Sequence, residues 1–81
     1  MLFIEFARRQ RGWSQRDLGE HPRVRITQSF ISQIERGVSI GTPEQRDRIA
    51  RALGLAPELL LQPVPDDLPV PEAVAEPSAR G

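Results

Sequence analysis

The chain has 81 residues, 11 basic side chains balanced by 11 acidic ones, and no Cys. That length supports one small core and excludes a two-domain enzyme, while the missing Cys excludes disulfides, a thiolate nucleophile and Cys-ligated zinc. The balanced charge hides a split: residues 1–62 carry ten Arg against seven acids, and residues 63–81 carry Arg80 against four acids. A modestly basic body joined to an acidic arm suits a polyanion-binding surface with a separately solvated tail.

Leu2 to Arg11 contains helix formers with apolar residues at Phe3, Ile4, Phe6 and Ala7, and Gly12 follows as a C-cap, which predicts a first helix. Glu5, Arg8 and Arg9 interrupt its apolar character, so no membrane span or export signal is expected and a cytoplasmic location is inferred. Ser14 before Gln15, Arg16 and Asp17 reads as a capping box that opens a short second helix carrying Leu18 inward. His21-Pro22 ends it, because proline removes a donor and disfavours a helical residue before itself.

After a connection through Arg23, Val24, Arg25 and Ile26, Thr27 caps a third helix over residues 27–36, closed by Gly37. Phe30, Ile31 and Ile34 are its apolar positions, which leaves Gln28, Ser29, Ser32, Gln33 and Arg36 on a neutral, hydrogen-bonding face. Thr42-Pro43-Glu44-Gln45 supplies a cap, an N1 proline and a capping-box partner for a fourth helix that runs to about Leu53, with Ile49, Ala50 and Leu53 inward. Gly54 and Pro57 then introduce a last short helix bearing Leu59, Leu60 and Leu61. The expectation is an all-α, five-helix domain over residues 1–62 without strands, followed by residues 63–81 as an extended or disordered tail, since five prolines and four acids there leave little to bury.

Two short helices joined by a tight connection, the second with an amide-rich face, form a helix-turn-helix, whose second helix enters the DNA major groove. Gln presents its carbonyl and amide together to adenine, Ser bonds base edges or phosphates, and Arg pairs with phosphate or guanine. Base contacts are therefore expected from Gln28, Ser29, Ser32 and Gln33, and phosphate contacts from Arg16, Arg25, Thr27, Arg36 and Ser39. A merely solvated face is the plain alternative for the four polar residues, as solubilising charge is for Arg9, Arg11 and Arg16.

Three stretches carry a resemblance: Trp13-Ser14-Gln15-Arg16-Asp17-Leu18-Gly19, Ile31-Ser32-Gln33-Ile34-Glu35-Arg36-Gly37 and Ile49-Ala50-Arg51-Ala52-Leu53-Gly54-Leu55. Together they resemble the lambda-repressor-like (Cro/CI-type, XRE) helix-turn-helix family over roughly residues 2–61. The resemblance implies that Gln15 contacts a phosphate and supports the first recognition-helix residue, and that Gln28, Ser29 and Gln33 touch bases. It also implies that Arg8 pairs with Glu35 as a structural bridge, and that Trp13 packs in the core. Family habit further implies a homodimer on a pseudo-palindromic double-stranded DNA operator, with Leu59, Leu60 and Leu61 as the apolar contact surface.

The chain departs from the family in three places. The connection between helices two and three is about two residues longer than usual, and Arg25 stands where the family has a turn Gly, so the extra length is expected to relieve the strain that Gly would absorb. Pro43 and Arg46 stand where the family often has Leu, with Ile40 as the expected apolar substitute. The tail has no family counterpart, and a rival reading makes the chain an antitoxin or anti-regulator whose residues 63–81 capture a protein partner. Phe30 is expected either under the long connection or against a thymine methyl. His21 has no acid-His-Cys company for a metal or general-base role, and no cofactor or enzymatic activity is expected.

Overall fold

A computed structural model describes residues 1–72. Four α-helices and one 3-10 turn make up its regular structure: α1 (Phe3–Gln10), α2 (Gln15–Glu20), α3 (Gln28–Glu35), α4 (Pro43–Leu53) and the 3-10 turn Pro57–Leu59. Among the described residues there is no strand, only an isolated antiparallel bridge between Leu2 and Pro63.

Side-chain capping starts three of the helices. Ser14 and Asp17 exchange hydrogen bonds at the head of α2 (Asp17 N to Ser14 Oγ 3.0 Å, Ser14 N to Asp17 Oδ2 2.8 Å). Thr42 and Gln45 do the same at α4 (Gln45 N to Thr42 Oγ1 3.1 Å, Thr42 N to Gln45 Oε1 2.9 Å), while Thr27 Oγ1 accepts from Phe30 N at the head of α3 (3.2 Å). Such bonds satisfy amides that have no partner inside the helix.

α1 lacks a side-chain cap. Its first amides bond instead to carbonyls from the far end of the domain, Phe3 N to Gln62 O and Ile4 N to Leu60 O, each at 3.0 Å, and Val64 N returns a bond to Met1 O at 2.9 Å. From there the chain turns, Leu68 N bonding to Pro65 O (3.2 Å), and returns to α1 where Arg9 Nη1 donates to Pro71 O (3.2 Å). The first part of the sequence-defined tail is thus a strap with one turn in it, tied to α1 and the residues before it at both ends. The remainder of that tail, 73–81, lies outside the described residues.

The expected fifth helix is a 3-10 turn with a physical reason. Ala56 is extended, and the carbonyls of Leu60 and Gln62 are taken by the first amides of α1, which leaves only Pro57–Leu59 to wind. Its bonds all run three residues back: Leu59 N to Ala56 O, Leu60 N to Pro57 O and Gln62 N to Leu59 O.

The core joins Ile4 and Ala7 of α1, Leu18 of α2, Ile31 and Ile34 of α3, Ile49, Ala50, Ala52 and Leu53 of α4, and Leu60. Val24 and Ile26 of the α2–α3 connection also enter it, because Arg23, Val24, Arg25 and Ile26 alternate outward and inward. Leu60 is completely buried, so it cannot belong to the contact surface expected of Leu59, Leu60 and Leu61; Leu59 and Leu61 remain half-buried. Trp13 is half-buried at the core edge, with the Arg11 guanidinium 5.4 Å from its ring centroid and the His21 ring 5.3 Å away. Ile40 does not fill the α4 seam, being 60% exposed. Arg46 compensates by tying the loop with its guanidinium, Nη1 donating to Ile40 O (3.2 Å) and Gly41 O (2.8 Å).

Candidate nucleic-acid interface

α2 and α3 form the site, and a glycine sets their approach. A Cβ on Gly19 would lie 2.3 Å from Ile26 O, so only Gly lets α2 sit against the chain entering α3. The same contact is closed by Ile26 N bonding to Gly19 O (2.9 Å). The connection between them winds tightly on His21: Val24 N and Arg25 N donate to His21 O (2.8 and 3.1 Å), and Arg23 N donates to His21 Nδ1 (3.0 Å). His21 is therefore a turn organiser.

Arg25 takes the left-handed conformation (φ +53°). The longer connection thus does not relieve the strain expected from the missing turn Gly; Arg25 itself adopts the conformation, and the bond to His21 O together with the burial of Val24 and Ile26 on either side holds it there.

Behind the polar face of α3, one buried network locks three helices. Arg8 and Glu35 meet in a bidentate pair (Nε to Oε2 2.6 Å, Nη2 to Oε1 3.0 Å) with side chains only 4% and 3% exposed. Arg8 Nη1 also donates to Trp13 O (2.8 Å), and Gln15 Nε2 donates to Glu35 Oε1 (3.0 Å). α1, α2, α3 and the turn after α1 thereby share one charge-assisted knot, which fixes the tilt of the outer face. Gln15 sits at the start of α2 with one amide proton spent on this knot.

Ile31, Ile34 and Glu35 point inward from α3. Its remaining surface carries Ser29 and Arg36, exposed, with Gln28, Ser32 and Gln33 half-buried. Thr27 and Arg25 lie exposed at the N-terminal end of this face. Beyond its C-terminal end, the loop folds back through Val38 N and Ser39 N to Gln33 O (2.9 and 3.3 Å) and places Ser39 half-buried, its Oγ accepting from Gly41 N (3.4 Å).

The predicted phosphate-binding arginines differ in availability. Arg16 bonds Glu20 along the helix (2.9 Å), and that hydrogen bond, then the charge of Glu20, raises the guanidinium above its ordinary pKa. Both side chains are exposed, so the pair is weak and Arg16 can exchange it for a phosphate. Arg25 and Arg36, at the two ends of the α3 face, have no ion pair among the described residues.

Two features of this surface escaped the sequence reading. Val38 is 68% exposed next to Ile40, so the loop after α3 presents apolar groups outward. An open cleft of about 420 Å³ lies between the α2–α3 connection and the first turn of α4, lined by Arg25, Ile26, Thr27, Phe30 and Gln45. Phe30 also packs on the core with part of its ring. Gln45 had shown only its capping-box role; the signal for more was that a capping Gln engages its oxygen and leaves its NH₂ to face outward.

Among the described residues no group of three His, Asp or Glu side chains could hold a metal ion, and no helix is long and apolar enough to cross a membrane. A family model described as a helix-turn-helix domain matches residues 3–64, which takes in all four helices and the 3-10 turn. No curated protein and no solved structure matches the chain significantly. With the family match covering most of its length and the α2–α3 geometry in place, the chain belongs to the helix-turn-helix domains of the XRE/Cro-type kind, a DNA-binding family.

Proposed function

We propose that the chain is a sequence-specific transcriptional regulator that acts by repression rather than catalysis. α3 lies in the major groove and reads base edges with Gln28, Ser29, Ser32 and Gln33, while Gln15, Arg16, Arg25, Thr27, Arg36 and Ser39 position it on phosphates. The observation that carries this reading is the α3 surface: an amide- and hydroxyl-bearing face, held rigid from behind by the Arg8–Glu35–Gln15 knot and bracketed by unpaired Arg25 and Arg36. A domain seated there excludes polymerase from the sequence it covers, hence repression.

One α3 spans few base pairs, so we assign the active species as a homodimer on a pseudo-palindromic operator with half-sites about 34 Å apart. Leu59 and Leu61 supply its apolar contact, without Leu60. The test is fluorescence anisotropy against DNA from upstream of the coding region and against scrambled DNA at about 50 and 200 mM salt. Binding at least about a thousandfold tighter to the upstream DNA is expected; equal, steeply salt-dependent binding to both sinks the specific-regulator reading. Gln33→Ala should then cost about 1–3 kcal/mol at one base position only.

A second reading attaches to the strap, where Leu68 and Val70 stand 38% and 61% exposed among Asp66, Asp67 and Glu72. Such a segment suits capture of a protein partner by an antitoxin or anti-regulator. Deleting residues 63–81 would abolish that capture and leave operator binding nearly intact.

A further inference from the structure

We infer that the loop after α3 is a self-association surface whose occupant is the strap of a second copy of this chain, Val38 and Ile40 of one copy taking up Leu68 and Val70 of the other. The contact is separate from the one assigned to Leu59 and Leu61, and its occupant is not the foreign partner of the second reading above.

Five large hydrophobic side chains stand exposed among the described residues, and all but Met1 fall into two pairs, Val38 with Ile40 and Leu68 with Val70. Each pair is spaced two residues apart, outside the helices and the 3-10 turn. In extended chain, residues two apart share a side. The loop keeps this alternation, since Ser39 turns inward between Val38 and Ile40. Each pair thus makes a short apolar ridge. The amides of Ile40 and Val70 bond no backbone carbonyl among the described residues, so each ridge also keeps a main-chain donor for a chain laid beside it.

Charge decides what lies on each ridge. Residues 36–43 contain Arg36 and no acid, and Arg46 rests its guanidinium on the carbonyls of Ile40 and Gly41. Neither Arg has an ion pair among the described residues. The acids that bracket the loop are both answered, Glu35 by Arg8 and Glu44 by the amide end of α4. The strap is the reverse: residues 63–72 contain Asp66, Asp67 and Glu72 and no base, and none of the three has an ion pair among the described residues. Loop on loop or strap on strap would set like charge against like charge; loop on strap sets unspent cations against unspent acids around matched apolar pairs. Within one copy both ridges remain exposed, so the pairing is between copies.

Four aliphatic side chains bury well under the roughly 1,200 Å² of a free-standing complex, so the contact is weak and forms where copies are crowded. It joins unlike patches and every copy has one of each, which lets copies follow one another head to tail. Arg36 also ends the α3 face. On the DNA-binding reading, a second copy's strap and a phosphate therefore compete for it, and self-association and DNA occupancy oppose each other.

The test is the concentration dependence of amide NMR shifts in the full chain, from about 0.02 to 2 mM, where a contact with a Kd of about 1 mM is read. Shifts should grow with concentration at 36–40 and 66–72 together. Val38→Ser with Ile40→Ser, and separately Leu68→Ser with Val70→Ser, should each weaken the association at least about tenfold, with the urea midpoint unchanged because the replaced side chains are exposed. Mixing the two variants leaves one intact ridge on each, so the labelled loop variant should regain its shifts at 66–72 when the unlabelled strap variant is added. Shifts that do not depend on concentration overturn the inference, as do shifts confined to residues 59–61. A loss in only one of the two variants does so too, because like would then be pairing with like. Added duplex should reverse the shifts at 66–72, and shifts that persist at saturating duplex overturn the competition. If the wild-type protein binds no duplex, the DNA-binding reading fails, while the association measured without DNA still decides the contact.

Discussion

Arg25 sits at φ +53°, in a region where side-chain-bearing residues cost about 1–2 kcal/mol. Arg25→Gly removes that strain but gives the unfolded chain more freedom, so the net gain in stability should be about 0.5–1 kcal/mol by urea denaturation. The same variant should bind DNA more weakly and lower the slope of log affinity against log salt by about 1. A stability gain without a binding loss would make Arg25 a passive turn residue. Arg8 and Glu35 present the opposite case, charges with no route to solvent. Glu35→Ala leaves the Arg8 guanidinium buried and unpaired and should cost about 3–5 kcal/mol, whereas R8M with E35L should recover most of that loss. Calorimetric melting of the two variants checks it. The pairing partner of Arg8 was legible because a known motif names it; the conformation of Arg25 was not, because φ depends on where the flanking Val24 and Ile26 find room in the core.

Helix starts were legible because capping is local chemistry: Ser14, Thr27 and Thr42 each bond an amide three residues on. The polar face of α3 was legible from its period. What lay beyond reading was close approach between elements, since the value of Gly19 depends on Ile26 O, seven residues away along a winding connection. Gly19→Ala drives a methyl into a backbone carbonyl that no rotamer change can move. It should cost about 3 kcal/mol and tilt α2 against α3, so that DNA affinity measured at a temperature where the variant is fully folded also falls. Full affinity in that folded variant would show that the interhelical angle is not what the DNA reads. The 3-10 turn escaped the sequence for a related reason: three leucines in a row look helical, but the carbonyls of Leu60 and Gln62 are drawn to the amides of α1 instead of continuing the winding.

At the scale of the molecule, the domain is closed by the segment that contains the 3-10 turn. Leu60 fills the core while the carbonyls of Leu60 and Gln62 cap α1. Leu60→Ala should therefore cost about 2–5 kcal/mol, against less than about 1 kcal/mol for Leu61→Ala, a half-buried neighbour. Urea midpoints of both variants at one protein concentration provide the comparison; equal losses would contradict the placement of Leu60. Closure of this kind was invisible in the sequence, since pairing between the two ends of the domain leaves no local pattern and acidic, proline-rich composition at 63–72 reads as solvated chain.

The cap on α1 has a consequence for biosynthesis. α1 is the first helix of this domain to be synthesised, yet the groups that satisfy its opening amides are the carbonyls of Leu60 and Gln62, among the last made of the domain. Eight residues are too few to hold a helix unaided. α1 must wait for the end of the domain, and the nascent chain acquires its structure in a single late event rather than from the N-terminus onward.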